Sequence, residues 1–358
     1  MLRGSVILRR LVFCAILILS VLCIGSGYGG VFSPDRFMTL PAILALAFPI
    51  CAVVLLAFSI ISLFISVRTA FFGFLILFIV CWQPFRANFP INFTTPETPY
   101  DFSLLTYNVA QFVDFSGAGN LTSSPAINHI LATDVDIVAL QEYSSSPSNK
   151  NFKESVRKLD KTYPYKLTWS DGQAIFSKYP LTALSPVPCQ GTRLIARACR
   201  VEIGDNPVTL LNLHLRSIGL SEHDKEFYER LTEGHRGKIS TIRHSLLAKL
   251  RHAFIDRAIQ ARAVRQWLDS VSGPVIVCGD FNDVPLCYAQ RVIMSNELYD
   301  AYRESARYPS NTFNDNRMFF RIDHILTDYS LRPVYTVCDR VRYSDHYPIR
   351  TNIKFTTQ

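Results

Sequence analysis

Carboxylate, amide and imidazole side chains recur in the second part of the sequence, each at or just after the end of a short apolar run. Asn108 ends the run LLTYN, and Gln141 and Glu142 end IVALQE. Seven further residues follow the same arrangement in LLNLHL, VIVCGDFN, RIDHIL and YSDH: Asn212, His214, Asp280, Asn282, Asp323, Asp345 and His346. One such residue alone is explained by the turns that Asn and Asp commonly begin. Their repeated occurrence in order predicts a polar site at one rim of a sheet.

These residue types suit the cleavage of a phosphoester. Cleavage adds negative charge to an anionic centre, and a hard divalent cation such as Mg²⁺ or Mn²⁺, bound through carboxylate oxygens, can neutralise it. Glu142 and Asp345 can supply the carboxylates, and Asn108 can add an amide oxygen. A zinc hydrolase would use clustered His or Cys ligands, and no HExxH or comparable spacing occurs. No organic cofactor is expected.

The same chemistry needs a base for the attacking water and donors for the phosphate oxygens. His346 supplies an imidazole, and a carboxylate behind it would fix its tautomer and orientation. Asn282, His214 and Asn212 are candidate donors to phosphate oxygens, where they would stabilise the transition state.

The elements that position these residues are short strands and helices that follow one another along residues 101–358, which predicts an α/β fold. One helix is predicted over Ile242–Leu268, where apolar residues recur at spacings of three and four. Seven strands rich in Val, Ile and Leu are predicted at Phe102–Val109, Asp136–Gln141, Ala174–Ser177, Ala198–Ile203, Val208–Leu215, Pro274–Cys278 and Ile322–Leu326.

Together with GQAIFSKYPL, the ordered motifs LLTYNV, ALQE, LNLHL, GDFND, RIDHIL and SDHYPI resemble those of the endonuclease/exonuclease/phosphatase superfamily, which has the DNase I-like fold. The resemblance covers nearly all of residues 101–355. It implies a four-layered α/β sandwich, in which two mixed sheets pack face to face with helices outside. It also implies a metal-site pair in Asn108 and Glu142, with Asp345 as a further acid, and a structural position for His324.

The resemblance further assigns roles to the other polar residues. Asp280 and Asn282 match a GDxN pair, in which the acid orients or deprotonates the water and the amide contacts phosphate. His214 matches a histidine that contacts phosphate or donates a proton. Asp323 and His346 match a catalytic dyad. Whether Asp280 or His346 is the general base stays open.

The first 87 residues differ sharply in composition and are predicted to be a membrane anchor. Three charge-free runs, Leu11–Pro34, Phe37–Val67 and Thr69–Phe85, predict about three transmembrane helices. Two spans, or a cleaved signal peptide formed by the first run, are the alternatives. Arginines near the N-terminus place it in the cytoplasm. Three spans then place residues 101–358 on the extracytoplasmic, periplasmic side, whereas two would place them in the cytoplasm. Residues 88–100, with three prolines, are predicted to be a linker.

Net charge says little about the substrate. The first 87 residues hold six of the 37 Lys and Arg and one of the 29 Asp and Glu, which leaves 31 basic and 28 acidic residues, about +3 of the total +8. From Arg236 to Arg265 there are eight basic residues and one acid, which is either a solvated helix face or a basic rim for anionic substrate or lipid headgroups. A disulfide between Cys189 and Cys199 stays open.

The predicted function is therefore hydrolysis of phosphodiester bonds, and the resemblance favours nucleic acid as the substrate. A lipid-headgroup phosphodiesterase of the sphingomyelinase kind, or an inositol-phosphate phosphatase, is the alternative. An inactive binding or scaffold module that kept the fold is a further one.

Overall fold

The computed structural model describes residues 2–113, 124–144, 150–219, 239–295, 297–315 and 318–356. Its helices are α1 (Leu2–Tyr28), α2 (Leu40–Ala45), α3 (Phe48–Ser62), α4 (Val67–Leu75), α5 (Trp82–Asn88), α6 (Pro125–Thr133), α7 (Lys150–Thr162), α8 (Ile239–Leu268), α9 (Tyr288–Met294) and α10 (Ala301–Ser305). Its strands are β1 (Phe102–Asn108), β2 (Ile137–Gln141), β3 (Tyr165–Thr168), β4 (Ala174–Ser177), β5 (Leu181–Ala183), β6 (Ile195–Ile203), β7 (Asn206–His214), β8 (Val275–Asp280), β9 (Leu298–Asp300), β10 (Phe313–Asp315), β11 (Met318–Phe320), β12 (Asp323–Asp328), β13 (Leu331–Cys338) and β14 (Ile349–Phe355).

Twelve of the strands form two six-stranded mixed sheets. The first has the order β13-β14-β1-β2-β4-β3 and the second the order β5-β6-β7-β8-β12-β9, while β10 and β11 form a separate hairpin. Each sheet has one parallel pair at its centre, β1 with β2 and β7 with β8. All seven predicted strands are present, and the predicted helix lies within α8.

Side-chain alternation along the strands divides the apolar residues among three layers of core. Leu104 of β1 and Ile276 of β8 belong to the cluster between the two sheets. Leu105 faces the other way, against Ile127 of α6. On the far side of the second sheet, Val277 packs with residues of α8. Because successive strand residues point to opposite faces, each sheet is covered on both sides. The predicted helix–sheet–sheet–helix sandwich is therefore confirmed.

The prediction of three transmembrane helices is wrong. Among the described residues, one helical stretch, Val6–Val31, is long and apolar enough to cross a membrane, and its position suits a single anchor or a signal sequence. A second would count only if Val67–Val80 and Trp82–Asn88, which meet at a 74° bend, formed one span. The run Phe37–Val67 is divided between α2 and α3, each with a proline in its first turn. At 1.5 Å per residue, the 15-residue α3 is about 22 Å long, short of the roughly 30 Å hydrocarbon core.

The apolar helices pack on one another and also contact the sandwich. Ile16, Leu55 and Leu77, from three separate segments, share a buried cluster. In the predicted linker, the Asn92 amide donates to the backbone carbonyl of Ala306 at 2.8 Å, and Thr94 Oγ1 donates to the carbonyl of Ser305 at 2.7 Å. These bonds hold the connecting segment against the end of α10.

All nine cysteines lie in the described residues and are unpaired. The disulfide that the sequence left open between Cys189 and Cys199 is therefore not formed. Cys199 is fully buried in β6, where burial raises the pKa of its thiol to about 12 and keeps it neutral.

Candidate active site

Strand register brings the predicted polar residues to one edge of the two sheets. Asn108 at the end of β1 lies opposite Gln141 at the end of β2. In the second sheet, His214 at the end of β7 lies opposite Asp280 at the end of β8. Asp323 is also paired with Asp280, because β12 runs antiparallel to β8 and begins where β8 ends. The rim therefore follows from the strand pairing, and the loops after these strands add the remaining side chains.

Asp280 is the centre of this arrangement, and its side chain is 1% exposed. The Asn282 backbone N–H donates to Asp280 Oδ1 at 2.7 Å. The side-chain amides of Asn282 and Asn108 each donate to Oδ2 at 3.1 Å. The Nε2 atoms of His214 and His346 lie 3.6 and 3.7 Å from the same oxygen. Burial raises the pKa of Asp280, an effect that the two imidazoles oppose and the neighbouring Asp323 reinforces.

His346 and Asp323 form a buried pair. His346 Nδ1 donates to Asp323 Oδ2 at 2.8 Å, which leaves Nε2 directed toward Asp280. The ring of Phe313 packs edge-on against the imidazole, 5.2 Å between centroids. Burial alone would lower the pKa of His346, but the carboxylates of Asp323 and Asp280 outweigh it and raise this pKa to about 10. The Asp323 carboxylate fixes the orientation of the ring.

The predicted metal-site residues lie together on the open side of the rim. Asn108 Nδ2 donates to Glu142 Oε1 at 3.1 Å. Ser344 Oγ donates to the Asn108 carbonyl at 2.8 Å and to Asp345 Oδ1 at 3.1 Å. Burial raises the pKa of Asp345, and the charge of Glu142 adds to this effect. A buried carboxylate whose pKa is raised by a neighbouring negative charge is a group that a cation would stabilise, so these residues fit a hard divalent ion.

A second group of possible ligands occurs in the described residues. One ligand atom each from Asp280, Asp323 and His346 lie within 4.8 Å of one another. His346 Nδ1, however, already donates to Asp323, so a cation at this place would have to break the pair. The side chain of Glu142 is 39% exposed, against 1% for Asp280, and the more open carboxylate suits an ion that keeps several waters.

Two residues of the site have left-handed backbone conformations that side chains rarely adopt. The φ angle is 53° at Glu142 and 52° at Asn282. Asn tolerates this region, whereas for Glu it is uncommon. Gly279, at φ 131°, shows a related constraint, because a Cβ there would lie 2.0 Å from the carbonyl oxygen of Leu213. The turns after β2 and β8 thus direct their side chains at some cost in backbone strain.

Asn212 lies below the rim. Its side chain is fully buried. It donates to the carbonyl of Leu140 at 2.9 Å and accepts from Gln141 Nε2 at 2.7 Å. The sequence predicted that Asn212 contacts phosphate, but in the structure both the oxygen and the nitrogen of its amide bond to β2 of the other sheet. Residue 212 is two positions before His214, about 6.6 Å deeper at 3.3 Å per residue.

His324, expected to be structural, is fully buried beside the rim. Its Nε2 donates to the Asp283 carbonyl at 2.9 Å, and Arg321 Nη1 donates to its Nδ1 at 3.0 Å. Burial and the adjacent guanidinium lower the pKa of His324 to about 4, so the ring is neutral. Arg321 also donates to Asp300 and to the carbonyl of Ala87, at the end of α5.

A pocket of about 240 Å³ opens beside the rim and is lined partly by polar and partly by apolar residues. Its polar residues include Glu142, Asn282, Asp345 and His346. The apolar part, which the sequence did not reveal, includes Leu46, Ile218, Phe254, Val284, Phe313 and Phe320. Two larger cavities, of about 520 and 630 Å³, border residues 93–99 and contain none of the predicted site residues.

Three arginines of the Arg236–Arg265 stretch form ion pairs with other residues of the chain. Arg257 is buried and pairs with Asp283 at 3.1 Å. Arg262 pairs with Asp35, and Arg265 pairs with Asp269 at 2.7 Å. Residues 220–238 lie outside the described part of the chain. Three of the eight basic residues of this stretch are thus engaged in ion pairs within the protein.

The sequence profile of the Endonuclease/Exonuclease/phosphatase family matches residues 105–346, about two thirds of the chain. The chain belongs to this family. As a member it has the fold of metal-dependent phosphoesterases, and the acid–histidine cluster lies at the rim of its sheets. No curated protein matches the chain significantly.

Solved structures similar to this member of the family are distant from it in sequence. An endonuclease/exonuclease/phosphatase from Beutenbergia cavernae is 19% identical, with a TM-score of 0.49 over 72% of each chain. A family protein from Bacteroides thetaiotaomicron is 16% identical, with a TM-score of 0.47 over 72% of this chain and 98% of that one. Sphingomyelinase C from Streptomyces griseocarneus is 16% identical, with a TM-score of 0.45 over 71% and 99%.

Proposed function

We propose that the chain hydrolyses phosphodiester bonds with a divalent cation, Mg²⁺ or Mn²⁺, at the rim built by β1, β2, β7, β8 and β12. One observation carries this proposal: the Nε2 atoms of His214 and His346 lie 3.6 and 3.7 Å from the same carboxylate oxygen of Asp280. Two imidazoles and an acid that converge on one space suit the binding of an anion and the transfer of a proton.

Glu142, Asp345 and Asn108 would hold the cation. When bound, it supplies positive charge that offsets the charge building up on the phosphoryl group. The bond from Asn108 to Glu142, and that from Ser344 to Asp345, hold these oxygens in place beforehand. The exposed side of Glu142 leaves room for the waters that Mg²⁺ keeps.

The proton of the attacking water passes to the pair formed by Asp280 and His346. Asp323 holds Nδ1–H of His346, so Nε2 is the nitrogen that faces the reacting space. The buried Asp323 carboxylate also stabilises the imidazolium form of His346, so the Asp280 carboxylate is the member of the pair that accepts the proton.

Asn282 and His214 contact the phosphate oxygens. The Asn282 amide donates to Asp280 and to the Leu215 carbonyl, both at 3.1 Å. When phosphate binds, the bond to Asp280 would be exchanged for one to a phosphate oxygen. His214 is only partly buried and borders the same space, where it can donate to the phosphate or to the leaving oxygen. Asn212 supports the rim from below.

Two substrate classes fit this chemistry. Nucleic acid is the class predicted from the sequence, but binding of single strands uses basic residues interleaved with aromatic ones. In the described part of the chain, Arg257, Arg262 and Arg265 are engaged in ion pairs instead. A lipid headgroup is the second class, and the apolar side chains that line the pocket favour it. In both cases α1 would anchor the enzyme, with the sandwich on the extracytoplasmic side.

The proposal is tested with the full chain in a non-phosphate detergent and bis(p-nitrophenyl) phosphate as a generic phosphodiester. We expect release of p-nitrophenol that needs Mg²⁺ or Mn²⁺, stops with EDTA, and falls by about 10² to 10⁴ in His346→Ala. His252→Ala is the matched control, because His252 is an exposed residue of α8. Absence of EDTA-sensitive turnover on this ester, plasmid DNA, RNA, sphingomyelin and inositol phosphates would favour an inactive scaffold.

A further inference from the structure

Leu46 belongs to the N-terminal apolar segment, yet it reaches the active-site pocket. It follows α2 directly, and its side chain packs against the apolar cluster between the second sheet and α8. It also lines the pocket that contains Asn282 and His346. One wall of the reacting space thus comes from the part of the chain that precedes the family's fold.

The position of Leu46 is fixed by contacts at the end of α1 and in the loop after it. At Gly30 a Cβ would lie 2.1 Å from the carbonyl oxygen of Leu286, so the two backbones touch. Asp35 pairs with Arg262 of α8, and Arg291 donates to the carbonyl of Gly27 at 3.4 Å. Leu286 and Arg291 follow the GDFND turn closely, so the end of α1 is held next to the rim.

The surface around the end of α1 and the loop after it is apolar and exposed. Between α1 and α2, the side chains of Phe32, Phe37 and Met38 are 47%, 71% and 65% exposed. Only 17% of the most apolar part of the helical stretch Val6–Val31 is buried within the protein, so most of α1 is available to lipid. Because α1 ends against the rim, a membrane that α1 crosses has its surface beside the pocket.

We propose, on the basis of the phosphoesterase function above, that the substrate is a membrane-lipid phosphodiester whose apolar chain lies against Leu46. Its phosphate binds at Asn282 and His214, and the chain follows the wall formed by Leu46, Val284 and Phe320 toward the exposed side chains of the 31–40 loop. Leu46 therefore determines specificity through contact with the chain, while the rim residues carry out the reaction.

The test uses a series of n-alkyl p-nitrophenyl phosphates, from methyl to octyl, with the full chain in a non-phosphate detergent. In the wild type, kcat/KM should rise with each added methylene, by up to about fourfold per methylene buried. In Leu46→Ser this dependence should flatten, so that the octyl-to-methyl ratio falls by about tenfold or more. Leu44→Ser, a change at an exposed leucine of α2 two residues before Leu46, should keep the wild-type slope.

The outcomes separate this inference from the function on which it rests. Equal kcat/KM for all chain lengths, with metal-dependent turnover present, would overturn the lipid proposal and leave the phosphoesterase. No turnover of any ester would overturn both. Faster cleavage of plasmid DNA or RNA than of phospholipid vesicles would assign the pocket to nucleic acid. Because the methyl ester reports on folding and chemistry in each variant, a misfolded Leu46→Ser is recognised and replaced by Leu46→Ala.

Discussion

The active-site pocket has a polar floor and an apolar wall, and the two are held by different forces. The floor consists of side chains at the ends of paired strands. Asp280, at its centre, accepts three hydrogen bonds from amide N–H groups. The wall combines side chains from α8, from loops and from Leu46, and its N-terminal part is held by apolar packing and a few polar contacts. Changes in the floor should therefore alter the reaction, whereas changes in the wall should alter which substrate reacts.

The largest effect is expected for Asp280→Asn, which removes the charge at the centre of the floor. The two imidazoles lose the carboxylate that both face at 3.6 and 3.7 Å, and the proposed Asp280–His346 pair loses the charge with which it would take the proton of the water. We expect kcat to fall by about 10³ or more on every substrate, with little change in KM. Steady-state kinetics on methyl and octyl esters measure this. A loss confined to the octyl ester would contradict the division between floor and wall.

Arg321→Met should cause the next largest effect, a loss of stability. Arg321 connects the sandwich, through Asp300, to the N-terminal helices, through Ala87. Arg321 is 4% exposed, pairs with buried Asp300 at 2.8 Å, and donates to the carbonyl of Ala87. Removing it leaves a buried carboxylate without its partner, which costs about 3–5 kcal/mol. Thermal or denaturant unfolding of the full chain in detergent measures the loss. Arg303→Met, at a partly exposed arginine of α10, is the control, and equal losses in the two variants would refute the special role of Arg321.

Glu142→Gln tests the metal side of the floor. The substitution keeps the shape but removes a charge from the pair with Asp345. We expect the Mg²⁺ or Mn²⁺ concentration for half-maximal activity to rise by about 10- to 100-fold, while high metal concentrations recover part of kcat. Glu97→Gln, at an exposed glutamate outside the rim, is the matched control. An unchanged metal dependence would remove Glu142 from the proposed ligand set.

The smallest effect is expected for Asp35→Asn, at the edge of the wall. The hydrogen bond from Arg262 lowers the pKa of Asp35 to about 2, below its ordinary value of 3.8. The pair therefore stabilises the fold above about pH 4, and this contribution is lost as the pH falls toward 2. Because the pair is partly exposed, it contributes less than about 1 kcal/mol. A double-mutant cycle with Arg262→Gln at pH 6 and pH 3 measures it. A coupling that grows at pH 3 would contradict this account.

The floor could be predicted from the sequence because its geometry follows from strand pairing. Once Leu104–Asn108 and Ile137–Gln141 are parallel neighbours, Asn108 and Glu142 must lie at the same edge. The same register that places His214 at the rim places Asn212 two residues deeper, and residue type alone did not distinguish these depths. Two strands that the sequence analysis missed lack the continuous apolar run that identified the seven predicted strands. β3 is mostly exposed, and polar residues alternate along β14.

The wall could not be predicted, because apolar composition does not specify where a helix breaks or what it contacts. Leu46 is one leucine among many in a charge-free run, and its place depends on the division between α2 and α3. Pro41 and Pro49 mark the starts of these helices, but their spacing does not give the direction of the chain. The close approach of Gly30 to Leu286 is a tertiary contact that no local pattern indicates.

Hydrolysis of methyl p-nitrophenyl phosphate in ¹⁸O-labelled water tests the central claim most directly. With the full chain and Mg²⁺, we predict that one ¹⁸O enters each methyl phosphate product, and that EDTA and His346→Ala both suppress the labelled product, which His252→Ala retains. Turnover that continues at the same rate in EDTA and in His346→Ala, or product without ¹⁸O, would contradict a metal-dependent attack of water at this rim.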